Sequence, residues 1–234
     1  MPSTPELNPL VDGLSPLLHL ALFSRWLADK QPDLPPQTAI TGFPFHDRDG
    51  AGGLPPDLAR FLDEGPPPLV FTLGSSAASI AGPFYERSAA ARRLGRRAVL
   101  VLGDPRARPP SLPQGVAAFE YAPFAALFPR ASVLVYPGGI GTTGLAMRCG
   151  LPMLVVPLAH DQPDNADRLT RLGIACTIDR RRYSAERAAA ELEQLLEDRE
   201  YSRRAGDLSG HVRQKDGVAT ACDALEALLG RDAR

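Results

Sequence analysis

The sequence predicts an α/β protein with a Rossmann-like, doubly wound parallel sheet of about six strands and helices on both faces. From residue 69 onward, short runs rich in valine, leucine and isoleucine alternate with amphipathic segments. Most of these runs are continuously apolar, which is typical of strands covered on both faces. The links between runs and amphipathic segments are short, and this favours repeated strand–helix–strand units with right-handed crossovers.

The individual elements follow from the same pattern. Six strands are predicted, at residues 69–75, 97–103, 115–122, 132–138, 152–158 and 174–179. Five helices are predicted between and after them, at residues 83–95, 141–150, 162–173, 184–198 and 216–230. The first three helices end at a glycine, which suits the left-handed residue that commonly terminates a helix.

Residues 1–65 have a different character. They are rich in proline and contain one short β-like run, at residues 38–45. We expect an extended connector there, with a helix before it. The sequence therefore predicts two parts, residues 1–65 and residues 66–234.

Composition excludes several classes of protein. The chain has 234 residues, 44% of them hydrophobic, and a formal net charge of −1, which indicates neither a nucleic-acid binder nor a membrane-surface protein. The apolar stretch at residues 14–27 lacks the basic leader of a secretory signal, and no run is long enough for an integral membrane segment.

Cysteine and histidine are both dispersed along the chain. The three cysteines lie in apolar surroundings without Cys-x-x-Cys spacing, which favours reduced thiols and a cytoplasmic location. The four histidines are equally far apart, so we expect no metal site.

The stretch "VYPGGIGTTG" at residues 135–144 follows a predicted buried strand and opens a predicted helix. Ligands of open parallel sheets bind beyond the carboxyl ends of the strands, where this turn lies. Glycines allow close approach of an anion, and free N–H groups at a helix start attract phosphate. The alternative is a tight turn whose glycines serve packing only, since the spacing matches neither common nucleotide-binding motif.

A second polar stretch, "PLAHDQPDNADRL" at residues 157–169, follows the next predicted strand. Carboxylate and carboxamide groups side by side can hold vicinal sugar hydroxyls. The alternative is a capped helix start, with Asp161 or Asp164 as the cap. Two further strand ends carry weaker candidates, Ser75 and Ser76 in one and Tyr121 in the other, and each of these is also compatible with an ordinary turn or a packed ring.

Together these motifs resemble the donor-binding half of family-one nucleotide-sugar-dependent glycosyltransferases, the UDP-glycosyltransferase type with the GT-B fold. The "TLGSSA", "YAP", glycine-loop, "GLPMLVVP" and "DQPDNA" motifs occur in the order and spacing of that family. By this resemblance, residues 1–65 are a connector with the end of an acceptor-binding domain, and residues 66–234 bind the donor.

The resemblance implies a role for each candidate donor-binding residue. The backbone at Tyr121 and Ala122 would hold a pyrimidine, and Ser75 and Ser76 would lie near the diphosphate. Hexose hydroxyls would meet Asp161 and Gln162, with His160 beside them. The diphosphate would bind at Gly138, Gly139, Gly141, Thr142 and Thr143. The implied reaction transfers a hexose from a UDP- or TDP-sugar to an acceptor hydroxyl with inversion, and it uses no metal or other cofactor.

The sequence departs from the family in two respects. Tyr136 and Pro137 stand where the family usually has one or two histidines, so a donor to the diphosphate is lost. The half that normally supplies the general base is also almost wholly missing, and no catalytic residue is assigned in this chain. Two hypotheses follow: a glycosyltransferase donor half, inactive or weakly active alone, or an incomplete nucleotide-sugar-binding module. Either would work with an acceptor-binding partner or as a homo-oligomer.

Overall fold

The computed structural model describes residues 15–46, 53–74 and 84–232. Of residues 231 and 232 it describes only the backbone. The chain divides into two compact units, His46–Gln214 and a smaller unit formed by the described parts of Met1–Phe45 and Lys215–Arg234. These boundaries differ from the predicted division between residues 65 and 66. The interpretation of residues 1–65 as a connector and acceptor-domain remnant stays a prediction.

The larger unit contains a parallel sheet of six strands. In chain order these are β3 (Leu69–Thr72), β4 (Ala98–Val101), β5 (Val116–Phe119), β6 (Val133–Tyr136), β7 (Met153–Val155) and β8 (Ala175–Thr177). They lie side by side in the order β5-β4-β3-β6-β7-β8. Each lies within one of the six predicted strand ranges, and the predicted doubly wound α/β fold is confirmed.

Helices cover the sheet. In the larger unit they are α1 (Pro56–Asp63), α2 (Ala89–Arg93), α3 (Phe124–Leu127), α4 (Ile140–Cys149), α5 (Gln162–Arg171), α6 (Ala185–Glu197) and α7 (Arg199–Arg213). Single 3₁₀ turns occupy Tyr85–Ser88, Pro105–Ala107, Phe128–Arg130 and Arg180–Arg182. Every residue of β3, β4, β6 and β7 is buried, because the helices exclude water from both faces. This explains the continuous apolar runs in the sequence.

Two helices differ from the predicted pattern. The predicted helix at residues 83–95 is described from residue 84, as a 3₁₀ turn followed by the short α2. The sequence reasoning did not find α7, whose polar composition hides its few buried residues. Asp198 ends α6 and starts α7, because its carboxylate accepts a hydrogen bond from the Glu200 N–H at 2.9 Å.

The smaller unit pairs β1 (His19–Ala21) in parallel with β2 (Thr38–Ile40) and ends in α8 (Gly217–Asp232). The helix expected before the connector is wrong for the described residues: none of residues 15–46 is helical, and part of that apolar stretch is β1. Pairing with β2 supplies hydrogen bonds that the local apolar pattern could not reveal. No helix in the described ranges has the length and hydropathy needed to span a membrane.

Candidate functional site

The order of the strands creates a crevice between β3 and β6. From β3 the chain passes to β4 on one side, and from β6 it passes to β7 on the other side. The segments that leave the carboxyl ends of these two neighbours therefore diverge. Such a switch point is the usual ligand site of an open parallel sheet.

A cavity of about 370 Å³ lies at this point. It is lined by Leu73 and Gly74 after β3, by residues at the end of β6 and start of α4 (Tyr136, Pro137, Gly139, Ile140, Gly141 and Thr142), and by His160, Asp161 and Gln162 before and at the start of α5. The two polar stretches found in the sequence thus meet in one cavity, although residues 145–156 separate them along the chain.

Gly138 determines how the glycine loop leaves β6. Its φ is +101°, a conformation that side chains other than glycine rarely adopt. A Cβ atom at this position would lie 2.9 Å from Cγ1 of Val155 and 3.2 Å from the carbonyl oxygen of Gln162. The backbone therefore passes directly against β7 and α5, and only glycine fits there.

The start of α4 faces the cavity with free N–H groups. Gly139 precedes the helix, and no described side chain caps its first turn. The N–H groups of that turn have no partner within the helix and carry the positive end of its dipole. This is an anion-binding arrangement.

Tyr136 lies behind this turn, and its hydroxyl makes a structural contact with Thr143. The Thr143 hydroxyl donates to the Gly139 carbonyl at 3.0 Å. It also bonds the Tyr136 hydroxyl at 2.6 Å, and that hydroxyl lies 3.3 Å from Sδ of Met153. Thr143 is completely buried and does not line the cavity. Burial raises the pKa of Tyr136 far above its usual value, so this phenol stays neutral in the physiological range.

The second loop brings His160, Asp161 and Gln162 to the opposite wall. Asp161 precedes α5 but makes no capping hydrogen bond with its side chain, and Asp164 instead pairs with Arg168 at 2.7 Å. Neither of the two proposed caps is therefore seen. The Gln162 carboxamide oxygen accepts the N–H groups of Leu158 and Ala159 at 2.8 and 3.0 Å. Only its NH₂ group remains available for a ligand.

His160 has a φ of +58° and is the only described residue other than glycine with a positive φ. A left-handed conformation at such a residue is strained, and strain of this kind concentrates at functional sites. The side chain lines the cavity beside Asp161. This geometry follows from the tight turn into α5.

The other predicted site residues that the structure describes do not line this cavity. Tyr121 follows β5 at the far edge of the sheet with 62% of its surface exposed, whereas Ala122 is buried. Ser75 and Ser76 lie outside the described residues. Gly138 and Thr143 shape the loop from behind.

Sequence reasoning placed Asn165 in the second polar stretch but assigned it no role in the site. Its side-chain NH₂ group bonds both Gly138 and Asp161, and the residue is only 5% exposed. The signal was present, because Asn165 follows Asp161 by four positions at the start of a helix, where such side chains meet. No cluster of three or more potential metal-ligating residues occurs in the described ranges.

Comparison with known protein families identifies one matching domain. Residues 96–225, more than half of the chain, match the family described as the erythromycin biosynthesis protein CIII-like C-terminal domain.

Individual relatives are longer than this chain. The O-mycaminosyltylonolide 6-deoxyallosyltransferase of Streptomyces fradiae is 34% identical over 97% of this chain and 53% of its own length. The vancomycin aglycone glucosyltransferase of Amycolatopsis orientalis is 32% identical over 76% of this chain and 43% of its own length. The chain thus spans about half the length of the curated relatives it matches.

A solved structure shares the fold. The spinosyn rhamnosyltransferase SpnG, complexed with thymidine diphosphate, superposes with a TM-score of 0.75 and 25% identity. The superposition covers 91% of this chain and 57% of that chain. The similarity again falls on about half of the longer protein.

Proposed function

Because the chain belongs to the glycosyltransferase family that carries the erythromycin biosynthesis protein CIII-like C-terminal domain, we propose that it binds a UDP- or TDP-sugar as the donor half of a glycosyltransferase. The complete enzyme would transfer the hexose to an acceptor hydroxyl with inversion. An acceptor-binding half, on another chain or on a second copy, would complete the site. The free thiols of this chain suit a cytoplasmic location.

One observation carries this proposal: the candidate subsites follow one another along the sheet edge in the order of the chemical groups of a nucleotide sugar. Tyr121 lies after β5, the free helix start after β6, and Asp161 after β7. Three strand spacings, roughly 14 Å, separate β5 from β6, and one further spacing separates β6 from β7. Base, diphosphate and hexose can therefore lie across the edge in sequence.

The diphosphate would meet the first turn of α4. The loop from Gly138 to Gly141 brings the N–H groups to the cavity, Thr142 adds a hydroxyl, and Thr143 fixes the turn from behind. Fixed dipoles aimed at developing negative charge stabilise a leaving group in a transition state. The proposed reaction therefore needs no metal cofactor for the departing diphosphate.

The two ends of the donor would be recognised differently. The exposed ring of Tyr121 offers a face on which a pyrimidine can stack, and the backbone at Ala122 can bond its edge. Ser75 and Ser76 keep their proposed place near the diphosphate. At the other end, the Asp161 carboxylate would accept hydroxyl hydrogens and the Gln162 NH₂ group would donate to hydroxyl oxygens.

The alternative function is a nucleotide-sugar-binding module without transfer activity. Tyr136 favours it, since its hydroxyl is committed to Thr143 and cannot replace the histidine of the family at the diphosphate. In either case the general base and acceptor pocket would come from elsewhere, and the isolated chain would be inactive or weakly active.

Titration calorimetry of the complete chain with UDP, TDP, UDP-glucose and TDP-glucose tests the proposal. We expect micromolar dissociation constants for at least one nucleoside diphosphate and tighter binding of its sugar conjugate. If transfer of the sugar to an acceptor is detected only after an acceptor-binding half is added, the result supports the glycosyltransferase hypothesis. Binding without transfer under those conditions supports the module, and no binding of any of the four contradicts both.

His160 is expected to supply part of the diphosphate contact that Tyr136 does not make. The change His160→Asn should leave the free energy of unfolding within about 0.5 kcal/mol, because asparagine tolerates the left-handed conformation. Loss of one hydrogen bond to a charged oxygen should weaken UDP or TDP binding about tenfold. The exposed His211, in α7, provides the matched control His211→Asn. Equal affinities of the two variants would exclude His160 from the diphosphate site.

A further inference from the structure

A single buried side chain, Asn165, joins the two loops of the cavity. Its NH₂ group donates one hydrogen to the Gly138 carbonyl at 2.9 Å and the other to Oδ2 of Asp161 at 2.8 Å. A carboxamide has only these two hydrogens, so both are committed. The glycine loop after β6 and the polar loop after β7 are thereby fixed to the same atom.

The bond to Gly138 fixes, from behind, the loop whose backbone groups line the cavity. The Gly138 carbonyl is held by Asn165, and the Gly139 carbonyl is held by the N–H and hydroxyl of Thr143 at 2.9 and 3.0 Å. Both oxygens are thus occupied by donors. A free carbonyl oxygen in this loop would repel a phosphate oxygen. With both oxygens held, neither of these two carbonyls opposes the positive end of the α4 dipole at the cavity.

The bond to Asp161 controls the carboxylate. Asp161 is exposed and lies just before α5, so its side chain would otherwise sample several rotamers. Asn165 holds Oδ2 across the first turn of the helix. The other carboxylate oxygen remains able to accept from a hydroxyl, in an orientation set in advance of binding.

We propose that Asn165 is a positioning residue that orients the diphosphate loop and the hexose-binding carboxylate together, through the two hydrogens of one amide. This inference rests on the proposed function of the cavity. It assigns to Asn165 an effect on both parts of the donor, whereas Asp161 affects only the sugar.

The change Asn165→Leu tests the inference, because leucine has the same branched side-chain skeleton and no hydrogen-bond donor. We expect the dissociation constant of TDP to rise about fivefold through the freed Gly138 carbonyl. That of TDP-glucose should rise about fiftyfold, because the carboxylate is also released. If the unaltered chain binds UDP and UDP-glucose more tightly than TDP and TDP-glucose, the same measurements are made with UDP and UDP-glucose.

A double-mutant cycle with Asp161→Ala separates positioning from a general structural effect. Once the Asp161 carboxylate is gone, Asn165→Leu should weaken TDP and TDP-glucose by the same factor, about fivefold. If Asn165→Leu reduces the extra affinity for the sugar conjugate equally with and without Asp161, the link to the carboxylate is wrong.

Two further variants complete the experiment. Thr170 is an exposed polar residue on the same helix, and its hydroxyl bonds that of Thr177. The change Thr170→Val should leave the affinities for TDP and TDP-glucose unaltered. Asn165→Ser keeps one donor and serves if the leucine variant does not fold by circular dichroism; its losses should be intermediate. If the unaltered chain binds neither nucleotide, the proposed function fails along with this inference. If the unaltered chain binds both and a folded Asn165 variant binds equally well, the inference alone fails.

Discussion

Replacement of Gly138 by alanine is expected to destabilise the larger unit by about 3 kcal/mol. A left-handed conformation costs a residue with a Cβ atom about 1–2 kcal/mol, and overpacking of a tight site adds about 1–3 kcal/mol. Both costs apply, because φ is +101° and the new atom would lie 2.9 Å from Val155. Thermal unfolding should show a melting temperature lower by roughly 6–12 °C.

The same change should also weaken the binding of UDP or TDP about a hundredfold. To relieve the contact with Val155 and the Gln162 carbonyl, the loop must move, and the start of α4 moves with it. A misplacement of about 1 Å in a positioned site is enough to cost about two orders of magnitude.

Gly139→Ala is the matched control for stability. Gly139 has φ −62° and ψ 137°, an extended conformation open to any residue, and a Cβ atom there would have no neighbour within 4 Å. Its melting temperature should stay within about 2 °C of the unaltered chain. Equal melting temperatures for the Gly138 variant and this control would show that the loop does not need glycine at position 138.

Replacement of Asp161 by alanine is expected to remove most of the affinity that the sugar adds to the nucleotide. Asp161 lines the cavity and makes no cap to its own helix, so the carboxylate oxygen that Asn165 does not hold is available to hydroxyl groups. A hydrogen bond to a charged group contributes about 1.5–3 kcal/mol, which corresponds to roughly 10–100-fold in the dissociation constant of a UDP- or TDP-sugar. Affinity for UDP or TDP alone should change less than about threefold.

Asp164→Ala is the matched control, since it removes the same charge three residues further on. Asp164 pairs with Arg168 and does not line the cavity. Calorimetry should therefore give the same affinities for this variant as for the unaltered chain. Equal loss of nucleotide and nucleotide-sugar binding in the Asp161 variant would contradict its assignment to the hexose.

The local sequence pattern was enough to predict much of the fold. All six strands of the large sheet lie inside their predicted ranges, because burial on both faces demands continuous apolar runs such as Leu69–Thr72. Helix α4 ends at Gly150, which adopts the left-handed conformation expected of a terminating glycine. The short β1 was not predicted, since its partner strand begins seventeen residues after it ends.

The candidate site was less visible in the sequence. Its glycine loop and Asp161 were recognised because residue type and spacing alone restrict their chemistry. The direction of the Thr143 hydroxyl was not, because it depends on Tyr136 in a neighbouring strand. The two hydrogen bonds of the Asn165 side chain were not predicted either, since one of its acceptors, Gly138, lies 27 positions away.

The sequence by itself determined the class of fold, the position of its strands and the residue types able to meet an anion and hydroxyl groups, since each depends on neighbours within a few positions. Only the tertiary structure decided the strand order, and with it the crevice between β3 and β6 and the succession of Tyr121, the α4 start and Asp161 along one edge. It also decided which polar groups remain free for a ligand. These properties arise from contacts between distant segments, and the local periodicity of a chain does not encode them.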